Sequence, residues 1–71
     1  MNIIYSYHAK KRIKERGIEN WEIEHVLKHP SYIKKSFEER KIAVGEIKNR
    51  KLGIIYLEEE SYIKVISVVF P

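Results

Sequence analysis

The 71-residue sequence has no cysteine, and no apolar run in it approaches the roughly 18 residues of a membrane span. The first absence excludes a disulfide framework and a thiolate metal site, and the second excludes a membrane-spanning helix. No basic-then-apolar segment of signal-peptide type opens the chain, so a cytoplasmic protein with no membrane partner is expected. There is no internal repeat, no low-complexity tract, no phosphate-cradling glycine loop and no nucleophile elbow. Glycine and proline are scarce, at three and two residues, so each one marks a break in the chain.

What is present is short, charged and basic. Seventy-one residues make one domain, residues 1–71. A chain of this size buries only about 60% of its unfolded surface, so its core is thin. A second copy, giving a homodimer, or a tightly bound partner is the expected supplement. Fourteen basic and ten acidic residues leave a net charge of +4, unevenly placed. Residues 1–16 hold five basic and one acidic residue, and residues 31–54 hold seven and three. Residues 17–30 and 55–71 are acidic on balance. Small basic domains often meet phosphate backbones, although a Lys-, Glu- and Ile-rich chain also has a charged surface with no partner implied.

Residues 2–5 form an apolar entry, either an extended arm or a brief edge strand. A first helix is predicted over about 7–16, capped by Ser6 and stopped by Gly17 in the left-handed region. At about 100° per residue, His8, Arg12 and Glu15 share one stripe, while Ala9 and Ile13 share the neighbouring, buried one. A second helix is predicted over about 20–28. Glu19 is its cap, Glu22 stands at the third helical position, and Ile18 and Ile23 form a hydrophobic staple. Ile23, Val26 and Leu27 are spaced for its buried face, and Pro30 ends it at His29. Everything beyond Pro30 reads as β. Segments 32–37 and 41–48 are strands, the second with a change of phase at Gly45 of the kind a β-bulge produces. Segments 52–57 and 62–70 are apolar on both faces, as central strands are. The connections are short, so neighbouring strands pair as hairpins. The expected fold is α+β: two N-terminal helices packed on one face of a twisted antiparallel sheet of three to four strands.

His8-Ala9-x-x-Arg12-x-x-Glu15-Arg16-Gly17-Ile18, the Ile23–Leu27 and Pro30 pattern, and Ile66-Ser67-Val68 together resemble the domain-of-unknown-function family DUF4258. Its opening runs H-A-x-x-R-x-x-x-R-G-I and its closing strand V-I-T-V, with Ser67 here in place of the usual Thr. The likeness covers nearly the whole chain. That family is grouped by fold with the RelE-like and colicin-like ribonuclease toxins. The resemblance therefore implies a RelE/barnase-like architecture, an RNA-cleaving activity and an antitoxin protein as partner.

Metal-independent RNA cleavage needs a base for the 2′-hydroxyl, an acid for the leaving oxygen and cations for the phosphorane. His8 is the one histidine beside a basic cluster and is the candidate base. Arg12, a turn on, has the planar fork to hold a phosphate. Tyr56 is a candidate proton donor. Arg16, Arg40, Lys51 and Ser67 are candidates for binding the RNA. Four of these have a competing structural reading: His8 and Arg16 as groups bonded to nearby backbone or carboxylate, Tyr56 and Ser67 as residues of the core edge. No cofactor is called for. His25 and His29 have metal-ligand spacing but face solvent with no further ligand attached, so no metal site is expected. The rival to a ribonuclease is a non-catalytic module that binds RNA or a protein partner through the same basic surface.

Overall fold

The computed structural model describes residues 2–71. In chain order these form β1 (Ile3–Tyr5), α1 (Tyr7–Glu15), α2 (Asn20–Lys28), β2 (Tyr32–Lys35), β3 (Lys41–Ile47), β4 (Arg50–Glu58) and β5 (Ile63–Val69). The strands make one sheet in the order β1-β5-β4-β3-β2. Neighbours pair antiparallel except β1, which runs parallel to β5. The expected sheet of three to four antiparallel strands is thus a mixed sheet of five. The entry segment accounts for the difference. Ile3 and Tyr5 pack against the core from the sheet's edge, where β1 runs parallel to β5 in the register Ile3 to Ile63 and Tyr5 to Val65.

Both helices start and stop where local chemistry directs. The Ser6 hydroxyl accepts the Ala9 amide at 3.0 Å and caps α1. Gly17 stands at φ 62°, with its amide on the Lys14 carbonyl and the Ile18 amide on the Ile13 carbonyl. That is a Schellman stop, and Ile13 and Ile18 are both buried beside it. At the start of α2, Glu22 reaches back and accepts the Glu19 amide at 2.8 Å.

The helices lie on one face of the sheet. Ala9, Ile13, Ile18, Ile23 and Val26 pack against Ala43, Ile47, Leu52, Ile54, Tyr56, Val65 and Val68. The register puts Ala43, Gly45 and Ile47 of β3 on that face, opposite Ile54, Leu52 and Arg50. Ile42, Val44, Gly53, Ile55 and Ser67 point to the other face.

The bulge expected at Gly45 is not there. β3 pairs with β4 without a break from Lys41 to Ile47, so Ile47 shares a face with Ala43 and not with Val44. Gly45 serves a different purpose: a Cβ at that position would lie 3.3 Å from Val26 Cγ2, and its absence lets α2 settle on the strand. The bulge in this sheet lies in β5. Ile55 pairs with Ser67 and Tyr56 with Val65, leaving Ile66 as the extra residue.

Candidate functional site

β1 covers the outer edge of β5 only as far as Val65. Past that point the chain supplies other partners for the edge. The Ser6 amide donates to the Val65 carbonyl at 3.0 Å, and the Ser6 hydroxyl donates to the Ile66 carbonyl at 3.1 Å, which holds the bulge. One turn beyond Arg12, the Arg16 guanidinium donates through Nη1 to the Val68 carbonyl. Arg16 therefore seals a sheet edge, the structural alternative to the phosphate contact considered for it.

His8 and Arg12 lie along the same side of α1. His8 is exposed. Arg12 donates to Glu15 Oε1 at 2.8 Å, with the two side chains 40% and 47% exposed. An i, i+3 pair in that setting stabilises by only about 0.3–0.5 kcal/mol. A phosphate, which accepts two hydrogen bonds from the guanidinium fork, competes well against it. Four cavities among the described residues are lined by other residues than these two.

The remaining candidates do not gather around them. Tyr56 faces the helices from β4 and is buried in the core, opposite Lys41. Burial pushes its hydroxyl pKa up, with Lys41 acting against that and Glu58 adding to it. Arg40 stands at the end of the β2–β3 hairpin, where Lys35, Ser36, Glu39, Arg40 and Lys41 line a cavity of about 280 Å³. Lys51 and Ser67 are on the opposite face of the sheet, Lys51 across from Glu46 and Ser67 across from Ile55. The seven candidates thus fall into three places: the side of α1, the hairpin with its neighbour Tyr56, and the helix-free face.

A family model described as a domain of unknown function, DUF4258, matches residues 5–70. The chain belongs to the DUF4258 family. No curated protein and no solved structure matches it.

This DUF4258 domain also contains a charged cluster that residue spacing did not single out. Glu22 is fully buried, its Oε1 lying 3.6 Å from Arg50 Nη2 and 3.9 Å from Lys48 Nζ. The Arg50 guanidinium stacks 4.5 Å from the Phe70 ring centre, and Lys48 sits 5.5 Å from that of Trp21. Trp21 donates to Glu19 at 2.8 Å, and this bond, followed by the Lys48 charge, holds the Glu19 carboxyl below its ordinary pKa. The only sequence signal for this cluster was the basic run at Lys48–Lys51, and a charge run does not say which carboxylate it will meet. His25 and His29 are exposed with ring centres 5.2 Å apart, and among the described residues no group of three or more metal-ligating side chains forms. No helix among the described residues is long and apolar enough to cross a membrane.

Proposed function

We propose that this DUF4258 protein is a small endoribonuclease of the toxin type, acting on RNA phosphodiesters and held in check by an antitoxin protein. The observation that carries the reading is the His8–Arg12 pair, one turn apart on α1, with an exposed imidazole beside a weakly tethered guanidinium. In the proposed reaction the His8 imidazole takes the proton of a ribose 2′-hydroxyl, whose oxygen attacks the adjacent phosphorus. The bond to the 5′-oxygen breaks, that oxygen takes up a proton from solvent, and a 2′,3′-cyclic phosphate is left. Arg12 stabilises the charge gathering on the phosphorane. The base and the cation both come from the chain, so cleavage is expected to persist in EDTA.

Purified protein incubated with single-stranded RNA tests this directly. His8→Ala is expected to lower cleavage by about 10²–10⁴-fold, the usual contribution of a positioned acid–base group, with an unchanged far-UV spectrum. Undiminished cleavage by that variant removes His8 from the mechanism.

The second reading is a non-catalytic RNA-binding module. It is favoured by the burial of Tyr56 and the engagement of Arg16 with the Val68 carbonyl, which take two of the candidate residues away from an RNA at the pair on α1. Salt-sensitive binding without cleavage of any RNA decides for it.

A further inference from the structure

β2 is the outermost strand of the sheet, opposite to the edge that β1 and Ser6 cover. All four of its residues are exposed. Three of the large exposed apolar side chains fall on it or just beyond: Tyr32 at 41%, Ile33 at 50% and Phe37 at 72%. α2 packs over β3 and β4 and leaves this strand uncovered, although Ile33 points to the helix side opposite Ala43.

The backbone of β2 is equally open. The Ser36 amide donates to the Arg40 carbonyl at 2.7 Å, so the pairs alternate inward from there. Lys34 and Tyr32 bond to β3, while the amides and carbonyls of Ile33 and Lys35 point outward. Such an edge invites another strand.

Charge narrows the choice of occupant. Residues 32–41 carry Lys34, Lys35, Arg40 and Lys41 against Glu38 and Glu39. Lys35 stands directly across from Lys41, a like-charge pair that destabilises the ladder. Lys41 is held by Glu58 at 2.7 Å, which raises its pKa, but Lys35 takes part in none of the chain's ion pairs among the described residues. Arg40 Nε is buried without a hydrogen-bond partner, and Glu38 approaches the far end of that guanidinium only to 3.9 Å. A second copy would bring the same excess of positive charge, Lys34, Lys35, Arg40 and Lys41 against Glu38 and Glu39, to this edge. An RNA strand has no regular ladder of donors and acceptors to match the outward amides.

We propose that β2 is a docking edge for an extended protein segment that alternates apolar and acidic residues and adds a sixth strand to the sheet. Its backbone bonds to Ile33 and Lys35, its apolar side chains lie on the helix-free face beside Tyr32, and its carboxylates lie on the helix side, where one enters the cavity beside Lys35 and Arg40. The inference stands independently of the ribonuclease reading, because it uses none of the residues on α1.

The test uses the whole protein and a blocked peptide of about eight residues alternating Val and Glu, a typical strand length. Saturable binding is expected, with slowed hydrogen exchange at the Ile33 and Lys35 amides. Lys35→Glu is expected to weaken binding about fivefold or more, the scale of one reversed cross-strand charge pair. Ile33→Pro, which removes an outward donor and leaves the bonds to β3 in place, is expected to abolish it. A peptide alternating Val and Lys should not bind. Three results overturn the proposal: no binding at millimolar peptide, binding unaffected by both variants, or protection of the same amides by a single-stranded RNA and not by the peptide. Dimerisation of the protein alone through β2, seen by sedimentation with those amides already protected, assigns the edge to a second copy instead.

Discussion

At the Ile47 end of β3, Lys48 and Arg50 face Glu19 and Glu22 at 3.6–3.9 Å, and Arg50 lies on Phe70. At the Lys41 end, Lys35 and Arg40 line a cavity, and Arg40 Nε, like Arg50 Nε at the other end, is buried without a hydrogen-bond partner. Both ends are basic in sequence, but a buried carboxylate meets only the first. At the second, Glu58 holds Lys41 at 2.7 Å, Glu38 approaches Arg40 to 3.9 Å, and Lys35 has no ion pair among the described residues. The difference comes from α2. Its first turn rests on the β3–β4 turn and delivers two carboxylates there, while the β2–β3 hairpin extends beyond the helix and receives none. Basic residues in a small domain therefore need sorting by what the fold places against them before any is assigned to a ligand.

Removing the carboxylate at the Ile47 end should give the largest effect. Glu22→Ala deletes a buried charge that both caps α2 and faces Arg50 and Lys48. Breaking a buried ion pair typically costs about 3–5 kcal/mol, and losing a helix cap about 1 kcal/mol. These overlap in one side chain, so a loss of about 3 kcal/mol is expected in urea unfolding. Glu39→Ala, at the hairpin end, should stay within about 0.5 kcal/mol. Equal losses would mean that the two ends are not as different as their geometry indicates.

Much of this contrast was beyond reach of the sequence, for identifiable reasons. The helix limits, the Gly17 stop, the Pro30 break and the central position of β4 depend on neighbours in the chain, and local pattern carries them. The capping role of Glu22 is local too, but its pairing with Arg50 joins elements 28 residues apart. Arg16 is the sharper case, since its acceptor lies 52 residues away on β5. The Gly45 bulge failed because β3 is apolar on both faces. Ile42 and Val44 face away from the helices and Ile47 toward them, which reads in one dimension as a slip of phase. The seven site candidates were recognisable as chemical types, but which face or end each would occupy depended on sheet register.

The two hairpins extend the comparison to the backbone. Lys48 and Asn49 have φ of 53° and 63°, and Glu38 and Glu39 have 59° and 65°. Positive φ at both central residues is the pattern of a type I′ turn, which favours Asn-Gly. The β3–β4 turn has Asn at one of those positions, whereas the β2–β3 turn has glutamate at both and is strained by about 1 kcal/mol or more at each. The double substitution Glu38→Asn and Glu39→Gly is expected to raise stability by about 1–2 kcal/mol, measured by urea unfolding. The same gain from Lys48→Asn with Asn49→Gly would show that neither turn is the weaker one.

The smallest effect is expected from pH, and it too belongs to the Lys41 end. Tyr56 lies in the row that runs through Lys41 to Lys35, and its hydroxyl pKa is raised chiefly by burial. Above the ordinary tyrosine value of about 10, the unfolded chain loses this proton while the folded chain keeps it. The unfolded state then binds fewer protons, so stability falls as pH rises through that range and is fully present below it. Tyr5, also raised mainly by burial, adds to the fall from the opposite edge of the sheet. Lys41 has the same sign: its raised pKa preserves the bond to Glu58 until the pH passes the folded value. Melting temperatures measured from about pH 8 to about pH 11 should therefore decline, and Tyr56→Phe should flatten the curve, because it removes one of the titrating groups and leaves the packing in place. An unchanged slope in that variant would move the alkaline sensitivity to Tyr5 and Lys41, and would show that the buried hydroxyl at this end is already as well accommodated as the carboxylate at the other.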